Sequence, residues 1–151
     1  ANADRIAGAA LLDMAGANLT VELPGDVLDQ TADRDMKQLE FRLTRSKLSM
    51  DLYCQTNHTT PAQVRAAFRR DAERKMRSIL AVRAIAEAEQ ITVSNAEVDA
   101  EYARLAKLHG NPENEIRKVL SRDAVASAVT SQKVQRFLID HANITSVVEG
   151  E

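Results

Sequence analysis

Three histidines, one cysteine and a run of arginines are the residues of this chain with reactive chemistry to offer, and their spacing offers little of it. His58, His109 and His141 fall in separate segments with no second His or Cys at ligand spacing, so they read as solvated surface residues rather than as a metal set. Cys54 would be a nucleophile only beside a base in an activating pocket, and on a short amphipathic segment it reads as a half-buried packing residue. Gly8, Gly16, Gly25, Gly110 and Gly150 are scattered and build no phosphate-cradling loop. The triplets beginning at Asn18, Asn57 and Asn143 fit the glycosylation sequon, a pattern short enough to arise by chance. Arg65, Arg69, Arg70, Arg74, Lys75 and Arg77 could contact phosphates, but Asp71 and Glu73 interrupt the series and few aromatic residues stand nearby to stack on bases. A solvated, salt-bridged helix face is the better reading. The expectation is a chain with no catalytic residue, no metal and no cofactor.

Composition points the same way. Of 151 residues, 44% are hydrophobic, but aromatics are 3% and Trp is absent, a mixture that favours helices because Ala, Leu, Arg, Glu, Gln and Met lose little rotamer freedom there. A chain this long can bury roughly 70% of the surface its unfolded form exposes. The net charge of -2 argues against a dedicated nucleic-acid binder. Charge is nevertheless segregated: Pro61 to Arg83 holds seven cations against two acids, and Ala84 to Glu101 holds five acids and no cation. No apolar run is long enough to span a membrane, no signal-peptide pattern opens the chain, and one cysteine forms no internal disulfide.

The elements follow from periodicity and punctuation. Asp4 to Gly16 reads as a helix, and Leu19 to Pro24 as an extended connector in which Leu19, Val21 and Leu23 alternate with other residues. A long helix from about Asp26 to Arg45 carries Leu28, Ala32, Met36, Leu39 and Leu43 on one stripe. A short amphipathic piece, Ser49 to Gln55, presents Met50, Leu52 and Tyr53. Thr60 then caps a helix opened by Pro61, with Gln63 placed to close a capping box. That helix, Pro61 to Gln90, is about 45 Å long at 1.5 Å per residue. Its stretch Ile79 to Ala86 is apolar almost all round and is expected to be buried centrally. Ser94 and Glu97 form a second capping box, the helix they open stops at Gly110, and Pro112 opens a short helix with Ile116, Val119 and Leu120. After a break at Ser121 to Asp123, a last helix uses Val125, Val129, Val134 and Phe137, with fraying expected after Asn143. Residues 1–151 are read as one all-α domain.

The run from Leu48 to Leu80, continuing through Ala84 to Val98, together with Val21-Glu-Leu-Pro24 and the closing Val134 to Ile144 segment, resembles the C-terminal domain of bacterial trigger factor. The resemblance covers roughly Leu19 to Ile144 and rests on the order and spacing of the pieces. It implies an elongated multi-helix domain with two protruding helical arms, forming a cradle for unfolded or nascent polypeptides in the cytoplasm, without ATP. Family proteins also carry an N-terminal ribosome-docking domain and a peptidyl-prolyl isomerase domain, and neither pattern is present in this chain, so the ribosome is a partner only through a missing domain. By position, Val98 to Leu120 corresponds to the second arm, where Leu105, His109, Ile116 and Val119 match positions lining the cradle; His109 stands where the family often has an aromatic residue. For the first arm the candidates are Met36, Leu39, Leu43, Leu52 and Tyr53.

A holding role also has a physical argument. Long one-sided helices with few aromatics leave some Leu, Met and Ile outside any one core, and exposed apolar patches mark binding surfaces. Met adapts to irregular partners. Two other readings stand beside this one: a helical interaction or dimerisation module for one folded partner, including a homodimer, and the helical domain of a periplasmic chaperone for outer-membrane proteins. An RNA-binding protein rests on the arginine run alone, and neither nucleic acid nor membrane is expected as a partner.

Overall fold

The computed structural model describes residues 2–148, with side chains from 3 to 142. The order is α1 (Asn2–Ala17), α2 (Gly25–Arg45), α3 (Met50–Thr56), α4 (Pro61–Ala88), α5 (Asn95–His109), α6 (Glu113–Val119) and α7 (Arg122–Val148), with no strand among the described residues. Local chemistry sets most of the boundaries. Thr60 Oγ1 accepts from Gln63 N at 3.2 Å while Gln63 Oε1 accepts from Thr60 N at 3.0 Å, closing the expected box at the head of α4. Ser94 and Glu97 close the corresponding box on α5. Gly110 ends α5 in the left-handed region at φ 66°, where its N–H satisfies the carbonyl of Ala106. The last helix starts at Arg122, earlier than expected, because Ser121 Oγ accepts from Ala124 N and so serves as its cap. It runs to Val148, past Asn143; the remaining tail, 149–151, lies outside the described residues.

Packing divides the chain into two compact units, one of residues 16–79 and one of residues up to Ala15 together with those from Leu80 onward. In the 16–79 unit, Leu39 and Leu43 of α2, Cys54 of α3 and Val64 of α4 form a buried cluster, with Met36, Met50, Tyr53 and Phe68 against it. Ion pairs stitch α2 to α4 beside that cluster: Arg65 Nε lies 2.6 Å from Asp33 Oδ1, and Arg69 Nε 2.9 Å from Asp29 Oδ1. Arg77 donates to the Leu19 carbonyl at 2.9 Å, fixing the extended connector that precedes α2. A Cβ on Gly16 would stand 3.0 Å from the Arg77 carbonyl carbon, so the backbones approach closely at that point.

In the other unit, Val98 and Tyr102 of α5 pack with Val125 and Val129 of α7, and Val93, Ile116 and Ala126 close around them. Leu12, Ala81 and Val134 are also buried. Gly8 brings α1 against α7, where a Cβ would meet that of Gln135 at 2.9 Å. The stretch Ile79 to Ala86 is not buried on all sides: Ala81 is covered, whereas Ile79 is 60% exposed. Its composition is apolar almost all round, Arg83 being the exception, but only part of the helix circumference is covered.

Candidate functional site

The nine candidate contact residues fall into different environments. Leu39 and Leu43 are each 7% exposed and form the cluster that joins α2, α3 and α4, and Met36 and Tyr53 pack against it. These four side chains hold helices together. Leu52, on the far side of α3, is exposed. In the other unit Leu105 is half-buried, Ile116 packs onto the cluster around Val98 and Tyr102, and His109 is exposed. Val119, at the end of α6, is 82% exposed.

Other apolar side chains open to solvent were not among the candidates. Leu108 of α5 is 65% exposed, Leu120 follows Val119, and Phe41 of α2 is 64% exposed, with Leu48 beyond it. Their signal in the sequence is phase. Phe41 lies two residues after Leu39, outside the stripe that runs from Leu28 to Leu43, and Leu108 lies ten after Val98, away from the face that Val98 and Tyr102 share. An apolar residue out of step with the stripe of its own helix has no core to enter.

A polar clasp positions α6, and with it Val119. Tyr102 donates its hydroxyl to the Leu120 carbonyl at 2.7 Å, and the Arg117 guanidinium sits 4.2 Å from the centre of the Tyr102 ring. Arg117 also pairs with Glu113 of its own helix at 2.6 Å and with Asp99 of α5 at 2.9 Å, and Arg122 of α7 reaches the same Asp99 oxygen at 3.1 Å. Hydrogen bonds from Arg117 and then Arg122 hold the Asp99 carboxyl below the usual range. One carboxylate thus ties three helices. Glu101, the buried acid of α5, pairs with Arg104 at 2.6 Å, and that contact lowers its pKa.

The arginine run is largely engaged within the protein. Arg65 and Arg69 pair across to α2, Arg74 and Lys75 both bind Asp71, and Arg77 binds Glu73 and the Leu19 carbonyl. Cys54 lies inside the apolar cluster of its unit. Among the described residues no three His, Cys, Asp or Glu side chains are grouped to hold a metal, and no helix is long and apolar enough to cross a membrane.

These features define the class: an all-α chain with seven helices among the described residues, in two small-cored units, with apolar side chains left in solvent. Comparison with known proteins makes the assignment specific. Residues 2–142 match the family described as the bacterial trigger factor protein C-terminus. Proteins named trigger factor from Bacillus mycoides and Bacillus cereus are each 32% identical over 133 residues, covering 87% of this chain and 31% of those proteins. In fold, the chain is similar to a solved structure of trigger factor domains from Thermotoga maritima, with a TM-score of 0.71, 17% identity, and coverage of 91% of this chain and 81% of that one. The chain belongs to the trigger factor C-terminal family. It spans about a third of the length of the Bacillus relatives.

Proposed function

We propose that this chain is the polypeptide-holding module of a trigger factor chaperone, and that it binds apolar segments of unfolded or nascent chains without ATP. The observation that carries the reading is the exposure of Leu108 on α5, Val119 on α6 and Leu120 just after it, in a chain of this family. Large aliphatic side chains in water gain about 25 cal/mol per Å² when a partner covers them, and such contact requires no nucleotide and no bond chemistry. Because the Asp99 and Tyr102 contacts fix α6 from beneath, the exposed side chains are presented on an ordered support. His109, open to solvent on α5, joins the proposed contact residues of α5 and α6, where Leu105 and Ile116 are half-buried; Leu52, exposed on α3 of the 16–79 unit, is proposed as a contact in its own right. The longer protein would dock on the ribosome and isomerise prolyl bonds through domains outside this chain, and would work in the cytoplasm.

The test is suppression of aggregation for two unrelated denatured proteins diluted from denaturant. The chain is expected to protect both, and Leu108→Ser/Val119→Ser, which alters exposed positions only, is expected to protect several-fold less at unchanged helicity. Protection of neither protein, or full protection by the variant, overturns the reading.

A further inference from the structure

Helix α2 presents a second surface of different character. Its buried stripe, Leu28, Ala32, Leu39 and Leu43, faces the interior of the 16–79 unit. At 100° per residue, Arg34, Lys37 and Phe41 lie opposite that stripe. Arg34, Lys37, Gln38, Phe41 and Arg42 line a shallow recess whose walls are mostly apolar, built from the ring and the aliphatic stems of the longer side chains. The Arg45 guanidinium stands 5.9 Å from the centre of the Phe41 ring. An apolar floor is therefore rimmed by cations.

Two of the five acids of α2, Asp29 and Asp33, are directed to α4, which leaves Asp26, Asp35 and Glu40 against Arg34, Lys37, Arg42 and Arg45. Asp29 and Asp33 bind Arg69 and Arg65 of α4, and Asp33 lies within electrostatic reach of Lys37. Asp35 touches the rim, 3.7 Å from Arg34 Nε. In a chain whose net charge is -2, this face is locally cationic.

We propose that this face of α2 docks an acidic peptide segment of another protein, seating an apolar side chain on Phe41 and its flanking carboxylates on Arg34, Lys37, Arg42 and Arg45. The occupant follows from complementarity. An apolar floor rewards an apolar side chain and leaves a bare phosphate backbone without a partner at the centre, while forked guanidinium groups match carboxylates in pairs. A cationic rim also repels basic segments, so the surface discriminates by charge. The site shares no residue with the exposed aliphatic set of α5 and α6 and does not depend on the client-holding reading.

Fluorescence anisotropy tests the proposal with three labelled probes: a short peptide of Glu and Asp around a central Leu, the same peptide with Lys in place of the acids, and a single-stranded RNA. The acidic peptide is expected to bind saturably and more weakly as salt rises. Phe41→Ala and Lys37→Glu/Arg42→Glu, all at exposed positions, are expected to weaken it about tenfold or more at unchanged helicity. The Lys peptide is expected not to bind. Acidic-peptide binding that survives both variants overturns the proposal, as does tighter binding of the RNA at the same residues. Concentration-dependent self-association abolished by Lys37→Glu/Arg42→Glu would assign the face to a second copy of the chain and would also overturn it. Suppression of aggregation, measured on the same variants, is expected to be unchanged, which separates failure here from failure of the client-holding reading.

Discussion

Lys133 Nζ stands 2.7 Å from Glu97 Oε1, so the carboxylate that closes the N-terminal cap of α5 also fastens that helix to α7. The same ammonium donates to the Thr92 carbonyl at 2.6 Å, which secures the link entering α5.

This contact has a pH signature. The Lys133 hydrogen bond first, and the Ser94 backbone N–H second, lower the Glu97 carboxyl from its ordinary 4.5 to about 2. The folded chain therefore holds the ionised form more strongly than the unfolded chain does. Its contribution to stability is complete above about pH 4.5 and is lost as pH falls from there toward about 2. Urea midpoints measured at pH 6 and pH 3 should fall further for the wild type than for Glu97→Gln, with Asp99 supplying a shared acid sensitivity in both. An identical fall in the two proteins would remove Glu97 from the account.

Tyr102→Phe isolates the bond to the Leu120 carbonyl. The ring stays in the core and keeps Arg117 above it, so only the hydroxyl contact is deleted. The expected loss is about 1 kcal/mol in thermal or denaturant unfolding. Hydrogen exchange should accelerate in α6 more than in α2. Equal acceleration in both helices would show that Tyr102 acts on the whole fold rather than on the α6 attachment.

Two glycines should respond to alanine for different reasons. At Gly16 the added carbon would lie 3.0 and 3.1 Å from backbone atoms of Arg77 and Ser78, which have little room to yield. Gly16→Ala is expected to destabilise by roughly 1–3 kcal/mol through overpacking. At Gly110 nothing lies within 4 Å, but φ is 66°, so Gly110→Ala should destabilise by about 1 kcal/mol through backbone strain alone. Asn at position 110 should recover part of that loss, whereas nothing larger than Gly should be tolerated at 16.

Leu39 and Leu52 separate holding the fold from touching a client. Leu39→Ala removes a buried member of the α2–α3–α4 cluster and should destabilise by roughly 2–5 kcal/mol. Leu52→Ser changes an exposed position and should shift stability by no more than about 0.5 kcal/mol. Circular dichroism melts run beside the aggregation assay distinguish them. Any loss of protection in Leu39→Ala should accompany loss of fold, whereas a loss in Leu52→Ser at unchanged melting assigns that side chain to client contact.

What the sequence disclosed was what is decided locally. The boxes at Thr60 and Gln63 and at Ser94 and Glu97, the proline opening α4 and the glycine ending α5 each depend on residues within one turn. The family was legible from the order of such pieces. Which face of each helix is covered is decided at a distance, and periodicity reports only that a stripe exists. Leu39 and Leu52 are both apolar residues on amphipathic helices, but α3 and α4 close over Leu39 while Leu52 points outward. The unit boundaries at 15/16 and 79/80 fall inside α1 and α4, beside Gly16 and at the head of the apolar stretch Ile79 to Ala86, local signals that report a helix end and an apolar face and not a division between units. The ion pairs from Arg65 and Arg69 to Asp33 and Asp29 join residues 32 and 40 positions apart, beyond the reach of any local pattern.

Cys54 is the single thiol of the chain, and it lies in the cluster that joins α2, α3 and α4. A thiol reagent reaches it only when that cluster separates, so the rate of its modification is a clock for the opening of the 16–79 unit. With no second sulfhydryl to confuse the signal, that breathing can be timed in the unmodified protein, free or with a client bound, without introducing any label.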